Sequence, residues 1–381
     1  MGMEDQTRHE SAKKRNHLLE LKRAGQSIWL DFLRRRMFED GSLEAMIRED
    51  GVGGVTSNPS IFRKAIAESD DYDIAIRALS FGDQDPLEVF YDLALGDIET
   101  AADIFRPVYE VSGGKDGFVS FQLEPRLAQD TEGTVGAAYS LFNQVARPNL
   151  MIKVPGTPEG IKAVQELTRR GVNVNITLLF SIRMYEAVAR AYMRGLEQRL
   201  ADGQPIDHIY SVASFFVSRV DGAVDPILDP TSPLKGRVGV ANARVAYSRF
   251  RRLFSGSRWA RLSDAGAQIQ RPLWASTATK NPIYRDVLYV EELIAPDTVT
   301  TLPAQTLAAF REHGRVSPQA LTEGIPEAEK VLAGLRHEGV DLPEITDKLL
   351  EDGLRTFEAD LDDVLQRIAV KLKTARSRSA A

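Results

Sequence analysis

Short apolar runs alternate with longer amphipathic segments along most of this chain, and no other feature limits the fold as strongly. The eight candidate strands are residues 27–32, 54–57, 119–123, 150–154, 172–178, 209–215, 272–276 and 299–302. Several of them are continuously apolar, which is typical of parallel strands covered on both faces. Eight strands separated by helical segments favour an α/β fold, the (β/α)8 or TIM barrel, over a doubly wound sheet.

The segments between the candidate strands carry helix signals. Residues 158–170, 182–201 and 217–227 have helical patterns. The first of these segments has Thr157 as its cap and Pro158 in its first turn, and Gly171 ends it. The long gap between the second and third strands, residues 59–118, predicts additional helices there.

The predicted organisation is a catalytic barrel with additions at both ends. We predict an N-terminal segment over 1–25 that is partly helical or frayed, the barrel over 26–303, helices packed on the barrel over 304–373, and a disordered tail over 374–381. The C-terminal helices are expected because leucines and other apolar residues recur there at helical spacing. The tail is expected to be disordered because it is basic and rich in small residues.

The composition excludes several classes of function. The 381 residues are 43% hydrophobic and 27% charged, as in an ordinary globular protein. The net charge of −6, from 48 Lys+Arg against 54 Asp+Glu, argues against nucleic-acid partners. Cysteine is absent, which excludes thiol nucleophiles, and the five histidines are scattered. We therefore expect no metal and no cofactor.

Membrane and export signals are also missing from the sequence. No apolar stretch approaches the roughly 20 residues of a membrane helix. Residues 1–16 are polar and lack the apolar core of a signal peptide. We therefore expect a cytoplasmic protein with no membrane partner. A monomer and a homodimer both stay open.

Lys153 stands in an otherwise apolar candidate strand, residues 150–154. Burial disfavours the charged form of an amine and lowers its pKa from about 10.4, which makes the amine nucleophilic near neutral pH. Such a lysine forms a Schiff base with a carbonyl substrate. The same segment also fits a lysine just past a strand end, whose long stem reaches water.

Hydrophilic side chains stand near the ends of seven successive candidate strands. They are Asp31; Thr56, Ser57 and Asn58; Glu124; Lys153; Asn173, Asn175 and Thr177; Ser214, Ser218 and Arg219; and Ser276 to Asn281. Each alone also fits a local role, because such side chains commonly bond to nearby backbone. In a barrel, however, the carboxyl ends of the strands form the active site, so seven together favour a site.

Four motifs make the chain resemble the transaldolase family over nearly its full length. They are GVTSNPS at 54–60, MIKVP at 151–155, VNITLLFS at 174–181 and SFFVSRVD at 214–221, and their order and spacing agree with the family. The resemblance implies a barrel with a Schiff-base lysine on strand four, where Lys153 falls. It also implies transfer of a dihydroxyacetone unit between sugar phosphates, in the non-oxidative pentose phosphate pathway. The greater length points to a bacterial branch of the family.

The resemblance assigns catalytic roles to four residues. Lys153 is the nucleophile, and Asp31 handles the proton of the C4 hydroxyl group. Glu124, with Thr177 and a bound water, serves the formation and breakdown of the carbinolamine.

The resemblance also implies substrate-binding residues. Asn58, Asn175 and Ser214 hold the hydroxyl groups of the dihydroxyacetone unit, and Phe216 keeps acidic hydrogens away from the enamine.

The phosphate site departs from the commoner family pattern. Arg219 matches the phosphate arginine of the family, and Ser276 matches a serine of the site. The commoner pattern has a second arginine two residues after that serine, where this chain has Ala278. Lys280 is the nearest cation, and we expect it to take the role. It also fits a solvated loop lysine.

Two other functions stay open at this level. One is a Schiff-base aldolase that releases free dihydroxyacetone, which Phe216 and the chain length disfavour. The other is a catalytically silent sugar-phosphate-binding barrel, which would be expected to have lost the lysine or one carboxylate. A metal-dependent aldolase would need clustered histidines.

Overall fold

Eight parallel strands form a closed barrel in the computed structural model, which describes residues 16–82 and 84–379. Each strand pairs with the next along the chain, and the eighth pairs with the first. The strands are β1 (Gln26–Leu30), β2 (Gly54–Thr56), β3 (Phe118–Gln122), β4 (Leu150–Pro155), β5 (Val174–Leu179), β6 (Ser211–Phe216), β7 (Gln270–Ala275) and β8 (Thr298–Leu302). The predicted (β/α)8 barrel is confirmed, and every predicted strand lies within two residues of an observed one.

The described residues also form seventeen α-helices. These are α1 (His17–Arg23), α2 (Arg36–Glu39), α3 (Ser42–Asp50), α4 (Pro59–Phe62), α5 (Asp73–Leu79), α6 (Pro86–Val111), α7 (Thr131–Val145), α8 (Pro158–Arg169), α9 (Ile182–Ala201), α10 (Ser218–Val224), α11 (Val238–Leu253), α12 (Ser257–Asp264), α13 (Leu288–Glu291), α14 (Ala304–His313), α15 (Ala320–Glu323), α16 (Ile325–His337) and α17 (Leu342–Ser379). A π-helical turn, Arg63–Ala67, continues α4, and a 3-10 turn, Pro125–Leu127, follows β3. The predicted helices between β2 and β3 are α4, α5 and α6.

Side chains of the strands alternate between the barrel interior and the surrounding helices. Trp29, Phe118, Met151, Val212 and Leu273 belong to one buried cluster that fills the interior. Their neighbours along the strands belong to a second cluster that packs against the helices. Both faces of the strands are therefore buried, which explains their continuously apolar runs.

The longest helix, α17, crosses the end of the barrel formed by the carboxyl ends of the strands. Its 38 residues extend about 57 Å at 1.5 Å per residue. It contacts α4, the 3-10 turn, the end of β5, and α10. Because these elements stand at or just after β2, β3, β5 and β6, α17 forms one wall of the barrel mouth.

The end of α17 differs from the predicted disordered tail over 374–381, because the helix continues to Ser379. Two cations anchor this part of the helix to α5 and its flanks. Lys371 Nζ donates to the Ile66 and Ser69 carbonyls and to the Asp73 carboxylate, and Arg376 donates to the carbonyls of Ser80 and Gly82. Basic residues also suit the carboxyl end of a helix. Residues 380–381 of the predicted tail, and residues 1–15 of the predicted N-terminal segment, lie outside the described residues.

Candidate active site

Lys153 lies on β4 with only 4% of its surface exposed. Burial lowers the pKa of its ammonium group from 10.5 to about 8, and the nearby Asp31 carboxylate opposes this shift. A substantial fraction of the amine is therefore neutral close to physiological pH. Lys153, the predicted nucleophile, is therefore buried in the barrel and does not reach into water.

Two amides flank Lys153 in the register of the sheet. Gln122 of β3 pairs with Lys153 on one side, and Asn175 of β5 pairs with it on the other. Both ends of the Asn175 amide have partners, because its Nδ2 donates to Ser120 Oγ at 2.9 Å and its Oδ1 accepts from Ser214 Oγ at 2.6 Å. This network fixes the predicted substrate-binding residues Asn175 and Ser214 in one orientation beside the amine.

A bulge in β5 shapes the wall above Lys153. The pairing of β5 with β6 shifts register between Ile176 and Leu179, and Leu178 has a φ of 58°, a left-handed conformation that is strained for leucine. Thr177, just before this residue, is fully buried, and its hydroxyl oxygen has no hydrogen-bond partner. An unpaired buried polar group costs about 1–3 kcal/mol, so this hydroxyl requires a partner such as water or substrate.

Asp31 stands at the end of β1, half-buried beneath the barrel mouth. Its Oδ1 accepts a 3.0 Å hydrogen bond from Thr56 Oγ1 on β2. Its charge acts on Lys153 and also on Arg219. The carboxylate is therefore close enough to act on both the predicted nucleophile and the predicted phosphate-binding arginine.

Arg219 lies in the first turn of α10, just beyond β6. Its guanidinium carbon lies 5.5 Å from the centroid of the Phe216 ring, which in turn packs on Phe180 at 5.1 Å. Burial lowers the pKa of Arg219, and Asp31 and Asp360 oppose that effect. Asp360 belongs to α17, so this helix contributes charge to the site.

Asp221 anchors the helix that carries Arg219. Its carboxylate accepts from the Gly239 backbone N–H at 2.7 Å and from the Tyr289 hydroxyl at 2.9 Å. Burial raises the pKa of Asp221 to about 6, and these two hydrogen bonds oppose the rise. The buried Asp221 carboxylate thus joins α10 to α11 and α13.

The loop after β7 carries the remaining predicted phosphate ligands. Ser276 has a left-handed φ of 56°, and its hydroxyl lies 2.8 Å from that of Ser218. This bond joins the ends of β6 and β7, close to Arg219. Lys280 lies four residues further along and is exposed to solvent. The structure therefore associates Ser276 with Arg219, while Lys280 lies on the outer part of the loop.

Two predicted residues have local partners at the rim of the barrel. Glu124 lies two residues beyond β3, and its carboxylate forms a 3.1 Å ion pair with the exposed Arg126. Asn58 caps α4, because its side-chain oxygen accepts from the Ile61 backbone N–H at 2.9 Å. The Asn58 amide nitrogen is the part of that side chain that the cap does not use.

Gln122 and Asp360 are absent from the predicted set although they lie close to it. The alternation of side chains along β3 is the sequence signal that points to Gln122. Phe121 packs on aromatic rings outside the barrel, whereas Ser120 bonds to Asn175 inside it, so Gln122 also faces the interior. No local sequence signal marks Asp360, because its position depends on the path of α17.

The fold and this arrangement define a class of protein, the (β/α)8 barrel with a desolvated lysine at the carboxyl ends of its strands. Within residues 16–82 and 84–379, no three His, Asp or Glu side chains are grouped so that they could hold a metal ion. Across the same residues, no helix is long and apolar enough to cross a membrane.

Comparison with known proteins gives the family. The family described as Transaldolase/Fructose-6-phosphate aldolase matches residues 28–368. A transaldolase of Trichodesmium erythraeum is 42% identical over 373 residues, which cover 94% of this chain and 98% of the relative. A transaldolase of Thiobacillus denitrificans is 46% identical over 92% of this chain and 98% of the relative, and one of Parafrankia is 45% identical over 94% and 99%. The chain belongs to the transaldolase/fructose-6-phosphate aldolase family.

Proposed function

We propose that the protein is a transaldolase that transfers a dihydroxyacetone unit between sugar phosphates. The reaction converts sedoheptulose 7-phosphate and glyceraldehyde 3-phosphate to erythrose 4-phosphate and fructose 6-phosphate. The observation that carries the proposal is the buried Lys153, with a pKa of about 8, on β4 of a barrel from this family. The proposed setting is the pentose phosphate pathway of the cytoplasm, with the protein as a monomer or a homodimer.

The first half of the reaction breaks a carbon–carbon bond. Neutral Lys153 attacks the C2 ketone carbon of the donor, and loss of water from the carbinolamine leaves an iminium ion. The electron pair of the C3–C4 bond then forms the C2–C3 double bond of an enamine, while the iminium nitrogen accepts the displaced π electrons. The C4 hydroxyl proton passes to Asp31, and the C4 fragment leaves as an aldehyde.

The second half reverses these steps with another aldehyde. The enamine carbon attacks the carbonyl carbon of the acceptor, and Asp31 returns its proton to the new hydroxyl group. Water then adds to the iminium carbon, and the carbinolamine releases the new ketose and neutral Lys153. The three-carbon unit stays covalently bound between the two halves, so the acceptor must arrive before water protonates the enamine.

Neighbouring side chains support this order of events. The rings of Phe216 and Phe180 carry no hydroxyl group that could protonate the enamine, and they are almost fully buried. Asn175 and Ser214, which are hydrogen-bonded to each other, are the proposed ligands of the hydroxyl groups of the three-carbon unit. Arg219 and Ser276 form the proposed phosphate site, with Lys280 as a second cation.

Borohydride reduction in the presence of fructose 6-phosphate tests the mechanism. We expect peptide mapping to find a three-carbon adduct on Lys153 of the native protein and none in Lys153→Ala. The exposed Lys162→Ala serves as the matched control and should retain the adduct. An active enzyme with an unmodified Lys153 would contradict the proposal.

The aldolase activity named in the family description is the second candidate. The two functions differ in the fate of the three-carbon unit. A transaldolase converts fructose 6-phosphate rapidly only when an acceptor aldehyde is present, whereas an aldolase releases free dihydroxyacetone without one. Assays of dihydroxyacetone with and without erythrose 4-phosphate therefore separate them.

A further inference from the structure

We propose that Tyr284 and Asp225 are positioning residues for the binding of sugar phosphates. Their hydrogen bond holds the loop after β7, residues 276–284, against α10. Lys280 of the loop and Arg219 of the helix thereby keep a fixed separation. The inference rests on the proposed function, because it concerns the phosphate groups of the proposed substrates. Neither Tyr284 nor Asp225 is assigned a contact with the substrate, and both act through Lys280.

The loop is anchored to α10 at both of its ends. Its first residue, Ser276, shares a 2.8 Å hydrogen bond with Ser218, the first residue of the helix. Its last residue, Tyr284, donates through its hydroxyl group to Asp225 Oδ2 at 2.7 Å, just past the end of the helix. The two anchors are about 10 Å apart along the helix axis. One rigid element therefore carries both anchors and Arg219.

A tight turn connects Tyr284 to Lys280. The Tyr284 backbone N–H donates to the Asn281 carbonyl at 3.1 Å, and the Asn281 side chain accepts from the Ile283 N–H at 3.1 Å. Lys280 directly precedes this turn. Within the part of the chain that the structure describes, the Lys280 side chain forms no hydrogen bond or ion pair of its own. Its position therefore depends on how the loop is anchored.

The surroundings of Asp225 fix the Tyr284 ring. The other carboxylate oxygen of Asp225, Oδ1, accepts from the Gly236 backbone N–H at 2.9 Å, which sets the orientation of the carboxylate. Gly236 has a left-handed φ of 68°, and a Cβ atom there would lie 2.5 Å from Cζ of Tyr284, so only glycine lets the backbone contact the ring. Burial raises the pKa of the Tyr284 hydroxyl group, and its hydrogen bond to Asp225 raises it further. The phenol therefore remains a donor at neutral pH.

The helix α10 is itself held in place, so it can serve as a support for the loop. Asp221 joins it to α11 and α13 through Gly239 and Tyr289. Among the described residues, Tyr289 is also the next one after Tyr284 that bonds to α10. Loss of the Tyr284 bond would therefore leave residues 277–288 without a hydrogen bond to this helix. A phosphate group would then have to order a longer loop, which costs conformational entropy and weakens binding.

Tyr284→Phe tests the inference, because it removes the hydroxyl group and keeps the ring. We expect it to raise KM for fructose 6-phosphate about fivefold, with kcat within about twofold of the native value. Borohydride trapping of dihydroxyacetone, which carries no phosphate, should be unchanged. Tyr247→Phe is the matched control and should keep the native KM. It deletes a phenol that donates at 3.3 Å to the Pro296 carbonyl, at the opposite end of the barrel.

A double-mutant cycle separates positioning from a general structural effect. If Tyr284 acts through Lys280, the variant with both Lys280→Ala and Tyr284→Phe should have a KM within about twofold of that of Lys280→Ala alone. Asp225→Asn, which leaves one acceptor oxygen for two donors, should raise KM in the same way as Tyr284→Phe and covers the case in which that variant does not fold.

Four results would overturn the assignment. They are a native KM in both Tyr284→Phe and Asp225→Asn, a native KM in Lys280→Ala, effects of Tyr284→Phe and Lys280→Ala that multiply to about fiftyfold, and weaker trapping of dihydroxyacetone in Tyr284→Phe. Each leaves the proposed function intact if the native protein is active. If the native protein neither transfers a dihydroxyacetone unit nor traps an adduct on Lys153, the proposed function fails as well.

Discussion

Replacement of Lys153 by methionine should abolish catalysis and yet increase the free energy of unfolding. The pKa of this lysine falls from 10.5 to about 8 on folding. The shift of about 2.5 corresponds to about 3 kcal/mol by which burial of the ammonium group destabilises the native protein. Methionine fills a similar volume and carries no charge, so Lys153→Met removes this penalty.

The sign of the effect sets its pH dependence. The pKa of Lys153 is lower in the folded protein than in the unfolded chain. Above about pH 10.5 the amine is neutral in both states and burial carries no penalty; as pH falls through about 8 the folded protein must take up the proton, and the full penalty is reached. The gain from Lys153→Met should therefore be about 3 kcal/mol at about pH 7 and about 1 kcal/mol at about pH 10. Changes in packing are independent of pH and cancel when the two gains are subtracted.

Urea unfolding of the native protein and the variant at these two pH values provides the measurement. The difference between the two gains should be about 2 kcal/mol, and the m-values should agree. Lys162→Met on the exposed face of α8 is the control, because water surrounds that ammonium group before and after unfolding. A gain that is equal at both pH values, or a loss at about pH 7, would refute the reasoning that Lys153 is desolvated.

Three further results are expected. The transaldolase rate should rise with pH through about 8, because Lys153 reacts as the neutral amine; a rate that falls across this range contradicts the pKa given for it. The folded pKa of Asp221 is raised from 3.8 to about 6, so this group favours folding below about pH 4 and loses that effect as pH rises through about 6. The stability of Asp221→Asn relative to the native protein should therefore rise by about 2 kcal/mol from about pH 4 to about pH 7 in thermal or urea unfolding, and a flat difference would count against burial of the carboxylate. Lys280→Ala should raise KM for fructose 6-phosphate about tenfold and leave binding of dihydroxyacetone unchanged, since only the former carries phosphate; equal effects would remove Lys280 from the phosphate site.

The strands could be predicted from the sequence because both of their faces are apolar, but their ends depend on side-chain hydrogen bonds. The predicted strand over 172–178 begins only at Val174. Asn173 instead bonds through its side chain to the Pro148 and Leu150 carbonyls and to the Tyr210 N–H. Because the Tyr210 N–H donates to the Asn173 side chain, the next strand begins at Ser211, two residues later than predicted. Periodicity does not carry this information.

The candidate site could be predicted in part for a similar reason. Lys153 and Asn175 stand out because they are polar residues within apolar strands. Gln122 is equally placed, but an ionisable Glu124 two residues later resembles a catalytic group more closely. The conformation of Leu178 depends on the bulge in β5, and the place of Asp360 near Arg219 depends on the path of α17, more than a hundred residues further along the chain. Neither feature leaves a local sequence pattern.

The path of α17 has a consequence for how the protein is made. Translation proceeds from the amino end, so all eight strands leave the ribosome before the helix that walls their mouth. The newly made barrel must therefore keep the apolar surfaces of α4 and α10 exposed until residues 342–379 arrive. A nascent chain halted before this helix would present those surfaces to chaperones or to other chains.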